Sequence, residues 1–137
     1  MKLQYTTDCA LRMMVYLTGK NGIISSRELE QKIHFPQQCI FSAGRKLKKA
    51  GYISTVSGPF GGYTLGKSPE DITIQGILLL FKDSFSICCE DIDEKQIPGT
   101  ACRNYIGLLR KVKDDFAQEM STVTLASLLK KKNSSDT

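Results

Sequence analysis

The sequence predicts a mainly α-helical protein with one small β-hairpin and a long helix near its end. Three observations predict it. Apolar residues recur at helical spacing through most of residues 8–50. A strand-forming run, a glycine-rich turn and a second strand-forming run then follow one another within residues 52–65. Helical spacing returns over residues 101–120. A chain of 137 residues fits one domain, or one domain with a dimerisation arm.

Thr6 or Thr7 is placed to cap a helix starting near Asp8, whose acid suits the positive helix end. Ala10, Met13, Met14 and Leu17 form its inner stripe, which reads as core, and Gly19 and Gly22 end it. Ser25 followed by Glu28 is a capping box, and it opens a short helix with Leu29 and Ile33 facing inward. Pro36 suits the first position of the next helix, which runs through Ile40, Ala43, Gly44 and Leu47 to Ala50. Gly51 is a natural stop. Two short helices across a tight break, the second rich in Gln, Arg and Lys, make the helix-turn-helix pattern.

Beyond Gly51 the period changes. Tyr52, Ile53, Thr55 and Val56 favour a strand, residues 57–62 are turn formers, and Tyr63 to Leu65 favour a second strand. A hairpin directly after a polar-basic helix is how a wing is built. Thr73 caps an apolar helix from Ile74 to Phe81. Residues 83–100 show no period and include Pro98 and Gly99. The long helix, Ala101 to Met120, carries Ile106, Leu109, Val112 and Phe116 as an apolar stripe too long for one small core, which reads as a dimerisation face. Thr124 starts a short last helix through Leu128 and Leu129, and a polar tail follows. The expected division is a DNA-binding unit over 1–82, a sensor-type loop over 83–100, dimerisation helices over 101–130 and a tail over 131–137.

The formal net charge of +5 favours anionic partners such as nucleic acid, although a generic basic surface accounts for it equally. Met1 to Thr7 shows no signal-peptide pattern, and no apolar run approaches the ~20 residues of a membrane span. A cytoplasmic protein away from membranes is the expectation. With no telling carboxylate pair, nucleophile motif or phosphate loop, an enzyme is not expected.

Reading a major groove needs exposed side chains early on a helix. Those positions hold Gln37, Gln38, Phe41 and Ser42; Gln can pair with adenine, and Phe can touch a thymine methyl. Arg45, Lys46, Lys48 and Lys49 follow and suit phosphates, with Arg45 also able to read guanine. Ser26, at the start of the preceding helix, completes the candidate DNA-binding set together with the wing residues Ser57, Gly58, Phe60, Gly61 and Gly62. The wing glycines allow close backbone approach to a phosphate or a minor-groove wall. Wing tips often carry Arg or Lys, whereas this one offers Ser57 and Phe60.

Ala10-Leu11-Arg12, Leu47-Lys48-Lys49-Ala50-Gly51, Gly58-Pro59-Phe60-Gly61-Gly62-Tyr63-Thr64-Leu65 and Pro69-Glu70-Asp71-Ile72-Thr73 together resemble the Rrf2 family of bacterial transcription regulators. The resemblance covers nearly the whole chain, through the long helix to Thr124-Leu125. It implies a winged helix-turn-helix homodimer with crossed C-terminal helices, binding a palindromic operator on double-stranded DNA, with two recognition helices about 34 Å apart. The reading is a sequence-specific regulator, of repressor type. The rival is a winged-helix protein-interaction module that has lost DNA binding, kept alive by Ser57 at a wing tip where many relatives carry Arg.

Some members of the family hold an iron–sulfur cluster on three cysteines in the loop before the long helix. Matching that loop puts Cys88 or Cys89 first and Cys102 third. The middle cysteine is absent, with Gln96 near its place, and the adjacent Cys88 and Cys89 cannot readily take two facial positions. A cluster, a thiol redox switch helped by Arg103, and cysteines without any sensing role all stay open. In the sensing readings, the helix from Thr73 would pass the signal to the recognition helices. Cys9 and Cys39 fall within helices and read as core or semi-buried bystanders, and no CxxC pair suggests a disulfide scaffold.

Overall fold

The computed structural model describes residues 3–82 and 98–130. The first helix, α1, spans Tyr5–Thr18, one turn earlier than the threonine cap signal suggests, and its N-cap position falls to Gln4. The inward stripe explains the shift. Thr7 lies in line with Ala10, Met14 and Leu17 and is fully buried, so it cannot serve as an exposed cap. Its Oγ1 finds no hydrogen-bonding partner among the described residues.

Ser25 caps α2 (Ser26–Ile33), its Oγ accepting from the Glu28 N–H at 3.1 Å. Only that half of the expected capping box forms, because the Glu28 carboxylate accepts from the Tyr16 hydroxyl of α1 instead. His34 then takes a left-handed conformation (φ 61°, ψ 45°) that turns the chain into the next helix. Pro36 occupies the N-cap position of α3 (Gln37–Lys49), one residue before its expected place. The end of α3 follows the sequence reading. Gly51 has φ 82°, its N–H reaches Lys48 O at 2.9 Å, and Tyr52 N–H reaches Leu47 O at 2.9 Å, the double bond of a Schellman stop.

Strands β1 (Ile53–Val56) and β2 (Gly62–Leu65) pair antiparallel, with Ile53 opposite Leu65 and Val56 opposite Gly62. A third backbone segment joins them. Ile24, just before α2, exchanges hydrogen bonds with Tyr63 at 2.9 and 2.8 Å. The wing is therefore sewn to the start of α2 as well as to the end of α3.

Thr73 caps α4 (Ile74–Leu80), accepting from Gly76 N–H at 3.0 Å, and α5 runs over Gly99–Thr122. After α5 the chain returns to the front of α4. Val123 O accepts from Ile74 N–H at 3.0 Å, and Leu125 N–H donates to Ile72 O at 2.9 Å. A short 3₁₀ turn, Ala126–Leu129, follows where a last helix was expected. Leu125 is fully buried in the same core as Met13, Met14, Leu29, Ile40, Leu47, Ile72 and Ile77. Each such side chain contributes on the order of 1.5–3 kcal/mol when taken out of water. Among the described residues no helix is long and apolar enough to cross a membrane.

Candidate nucleic-acid interface

The outward face of α3 follows from the inward one. Ile40, Ala43, Gly44 and Leu47 are buried, which turns Gln38, Phe41, Ser42, Arg45, Lys48 and Lys49 to solvent. The wing strand lies tight beside this face. A methyl group added at Gly44 would sit 3.0 Å from the Tyr63 ring, so glycine is what lets β2 come this near. Burial pushes the Tyr63 phenol up, against the pull of the nearby Arg45 guanidinium. Arg45, Lys48, Phe41, Thr55 and Tyr63 line a groove of about 240 Å³ between helix and wing.

A larger cleft, about 520 Å³, opens between the start of α2, the start of α3 and the wing. Ser26, Gln37, Phe41, Gly58, Gly61 and Gly62 line it, so six of the expected DNA-binding residues converge there. Other lining residues stand outside the expected DNA-binding set, Arg27 and Thr55 among them. Arg27 reads as an ordinary surface cation until the bond from Ile24 to Tyr63 brings the start of α2 against the wing. Thr55 looked like any strand former.

Not every expected residue is offered to a ligand in the same way. Gln37 donates from Nε2 to the Glu30 carboxylate at 2.7 Å and accepts at Oε1 from the Ser26 hydroxyl at 3.3 Å. Those bonds fasten the start of α3 to α2 and hold Ser26 and Gln37 as positioning groups. Lys46 turns to the side, its Nζ 5.2 Å from the centre of the Phe81 ring at the end of α4. Gln38, Phe41, Ser42 and Arg45 keep the outward position. At the wing tip Ser57, Gly58 and Phe60 are exposed, whereas Gly61 and Gly62 are half-buried beneath them.

This order of parts, a capped helix, a left-handed turn, a polar-basic helix and a three-segment wing, recurs in known proteins. The family model described as Rrf2, iron-dependent transcriptional regulator, matches residues 3–131. The chain belongs to the Rrf2 family. It is similar to the HTH-type transcriptional regulator NsrR of Bacillus licheniformis, at 30% identity over 89 residues, 64% of this chain and 62% of that protein. The alignment thus spans about three fifths of that relative's length. NsrR of Halalkalibacterium halodurans is 26% identical over 133 residues, 94% of this chain and 90% of the relative. The fold is that of CymR from Staphylococcus aureus, with a TM-score of 0.76 at 21% identity, covering 96% of this chain and all (100%) of that one. A structure described as CymR, the global cysteine regulator of B. subtilis, gives a TM-score of 0.75 at 21% identity, covering 93% and 95%. Rrf2 proteins are transcriptional regulators rather than enzymes.

Two of the cysteines expected in a sensor, Cys88 and Cys89, lie outside the described residues. Cys102 is exposed in the first turn of α5. Among the described residues no group of three or more His, Cys, Asp and Glu side chains comes together as a metal site. The described part of this Rrf2 protein therefore supplies one thiol toward an iron–sulfur cluster, which does not make a cluster site. Cys9 is fully buried on α1, and burial, with Cys39 of α3 nearby, drives its thiol far above the ordinary range.

Of the four residues expected at a dimer contact, Ile106 is buried within its own chain. Phe116 lines an apolar groove of about 270 Å³ with Leu3, Leu11, Ile74, Leu78 and Met120. Leu109 is half-buried, and Val112 is exposed. The apolar side chains that α5 turns outward are Tyr105, Leu108 and Val112.

Proposed function

We propose that this Rrf2 protein is a sequence-specific repressor that binds a palindromic operator in duplex DNA as a homodimer. The observation that carries the reading is the exposed row Gln38, Phe41, Ser42 and Arg45 on α3, flanked by Lys48 and Lys49 and set beside the wing. Gln38 and Arg45 have the donors and acceptors to pair with adenine and guanine edges, Phe41 suits a thymine methyl, and the lysines suit phosphates. The cleft lined by Ser26, Arg27 and the wing glycines lies beside this row and offers a place for a sugar–phosphate strand.

The outward apolar row Tyr105, Leu108 and Val112 supports pairing through α5. A two-fold axis there would present two copies of α3 to one duplex, which is why the operator would be palindromic. A response to redox state would run through Cys102 together with Cys88 and Cys89, and α4 would carry it to α3.

The test is a gel-shift series on duplexes enriched from a random library. Wild-type binding should weaken steeply with salt. Gln38→Ala and Arg45→Ala should each cost roughly 1–3 kcal/mol and relax the preference at one base position. Binding that ignores salt and both substitutions would favour the protein-interaction reading instead.

A further inference from the structure

The wing tip carries an aromatic ring that no described residue covers. Phe60 is 91% exposed, more than any other large apolar side chain among the described residues. A single exposed phenyl ring is unremarkable on a mobile surface. This one sits on a constrained turn. Gly61 N–H donates to Gly58 O at 3.0 Å, Pro59 fixes the backbone between them, and a methyl group at Gly61 would stand only 2.0 Å from Val56 O. The ring is held out on a support with little freedom left to lose, the condition under which contact with a partner is least opposed by entropy.

Two further facts say what the partner is. Residues 57–62 carry no ionisable side chain, so this tip has no charge with which to read a narrow, strongly negative groove. Gly58, Pro59 and Gly61, the residues around Phe60, line the same cleft as Gln37 and Phe41 at the start of α3. A helix reading a major groove on one side of a backbone strand leaves the hairpin on the other side, over the adjoining minor groove. An apolar side chain arriving there gains by pressing between base pairs and partly unstacking them.

We infer that Phe60 is a wedge that enters the minor groove beside each half-site and selects base steps that unstack readily, the pyrimidine–purine steps TA and CA. This rests on the DNA-binding reading above. It adds a specificity-determining residue that acts on the deformability of the duplex, where the α3 residues act on base edges.

The experiment is selection of duplexes from a random library by wild-type protein, Phe60→Ala and Phe60→Arg, followed by 2-aminopurine substitution at the enriched flanking step. Wild type should enrich TA or CA at a fixed distance from the bases read by α3, and its binding should raise 2-aminopurine fluorescence there. Phe60→Ala should keep the inner bases, lose the flanking step and the fluorescence rise, and weaken binding on the order of tenfold, the scale of one aromatic–base contact. Its salt slope should stay that of wild type, because a phenyl ring releases no counterions. Phe60→Arg should exchange the flexible step for A-tract sequence and steepen the salt slope. The exposed position predicts wild-type thermal melts for both variants, which separates misfolding from lost recognition. An unchanged flanking step in Phe60→Ala, or no fluorescence rise with wild type, would overturn the wedge and leave DNA binding standing. A wild type that enriches no sequence at all would overturn both.

Discussion

Lys46, exposed on α3, sets its ammonium 5.2 Å from the centre of the Phe81 ring. Phe81 is buried at the end of α4, so this contact joins α3 to the end of α4. A lysine in this position acts on stability more than on phosphate. Lys46→Ala should lower unfolding free energy by about 0.5–1 kcal/mol, the usual worth of an exposed cation–π pair, and leave the salt slope of DNA binding near wild type. Lys48→Ala should do the reverse, flattening the slope by roughly 1 with little change in stability. Denaturant melts and salt titrations of the two variants separate these roles.

Tyr16 and Glu28 tie α1 to α2, and their bond has a pH signature. The hydrogen bond to Glu28 is the largest reason the Tyr16 phenol is raised above its ordinary value of 10.0, followed by burial and the carboxylate charge. The folded state therefore favours the neutral phenol more than the unfolded chain does. Its stabilisation is fully present below pH 10.0 and is lost as pH rises through the higher folded-state value. Tyr16→Phe removes the bond. Wild type should be the more stable at about pH 8, and its advantage should shrink at about pH 11, above the value at which the unfolded chain's phenol ionises. Urea melts of both proteins at the two pH values measure this, and a constant gap would contradict it.

Gly62 is where the wing meets the start of α2. A methyl group there would fall 2.2 Å from the carbonyl oxygen of Ile24 and 2.9 Å from Ser25 Cα, backbone atoms that cannot swing away. Gly62→Ala should break the paired bonds between Ile24 and Tyr63 and cost roughly 2–4 kcal/mol. DNA binding should fall further than the loss of folded protein explains, because the cleft wall moves with the wing. Gly44→Ala meets the movable Tyr63 ring instead, at 3.0 Å, and should cost less. Thermal melts alongside binding at a temperature where both variants are folded provide the comparison.

The parts of the fold that were legible are those written in local chemistry. Ser25 and Thr73 cap as read, Gly51 stops α3, and residues 52–65 make a hairpin. The parts that were not depend on distant partners. Ile23 and Ile24 are all that lies between Gly22 and the cap of α2, too short a run to mark a strand, yet Tyr63 recruits Ile24. Thr7 carries a capping residue's chemistry but sits in the core stripe, and tertiary burial prevailed over the local preference. His34, the only histidine, shapes the turn between α2 and α3 through its left-handed backbone, a role its side chain does not announce. The candidate interface was legible in the same uneven way. Spacing alone gave the outward row of α3, whereas the engagement of Gln37 with Ser26 and Glu30, and the arrival of Arg27, required the packing of α2 on α3.

Leu125 reaches back across the chain to fill the space beneath α4, with Ile72 and Ile74 holding the backbone on either side of it. A covalent cut between residues 83 and 97 would therefore not separate the protein into a working front and a discarded rear. The two pieces would stay associated, and the front piece made alone would present an open hydrophobic socket in place of a finished interior. Truncation ahead of α5 thus differs from severing the chain there, since only the former removes Leu125.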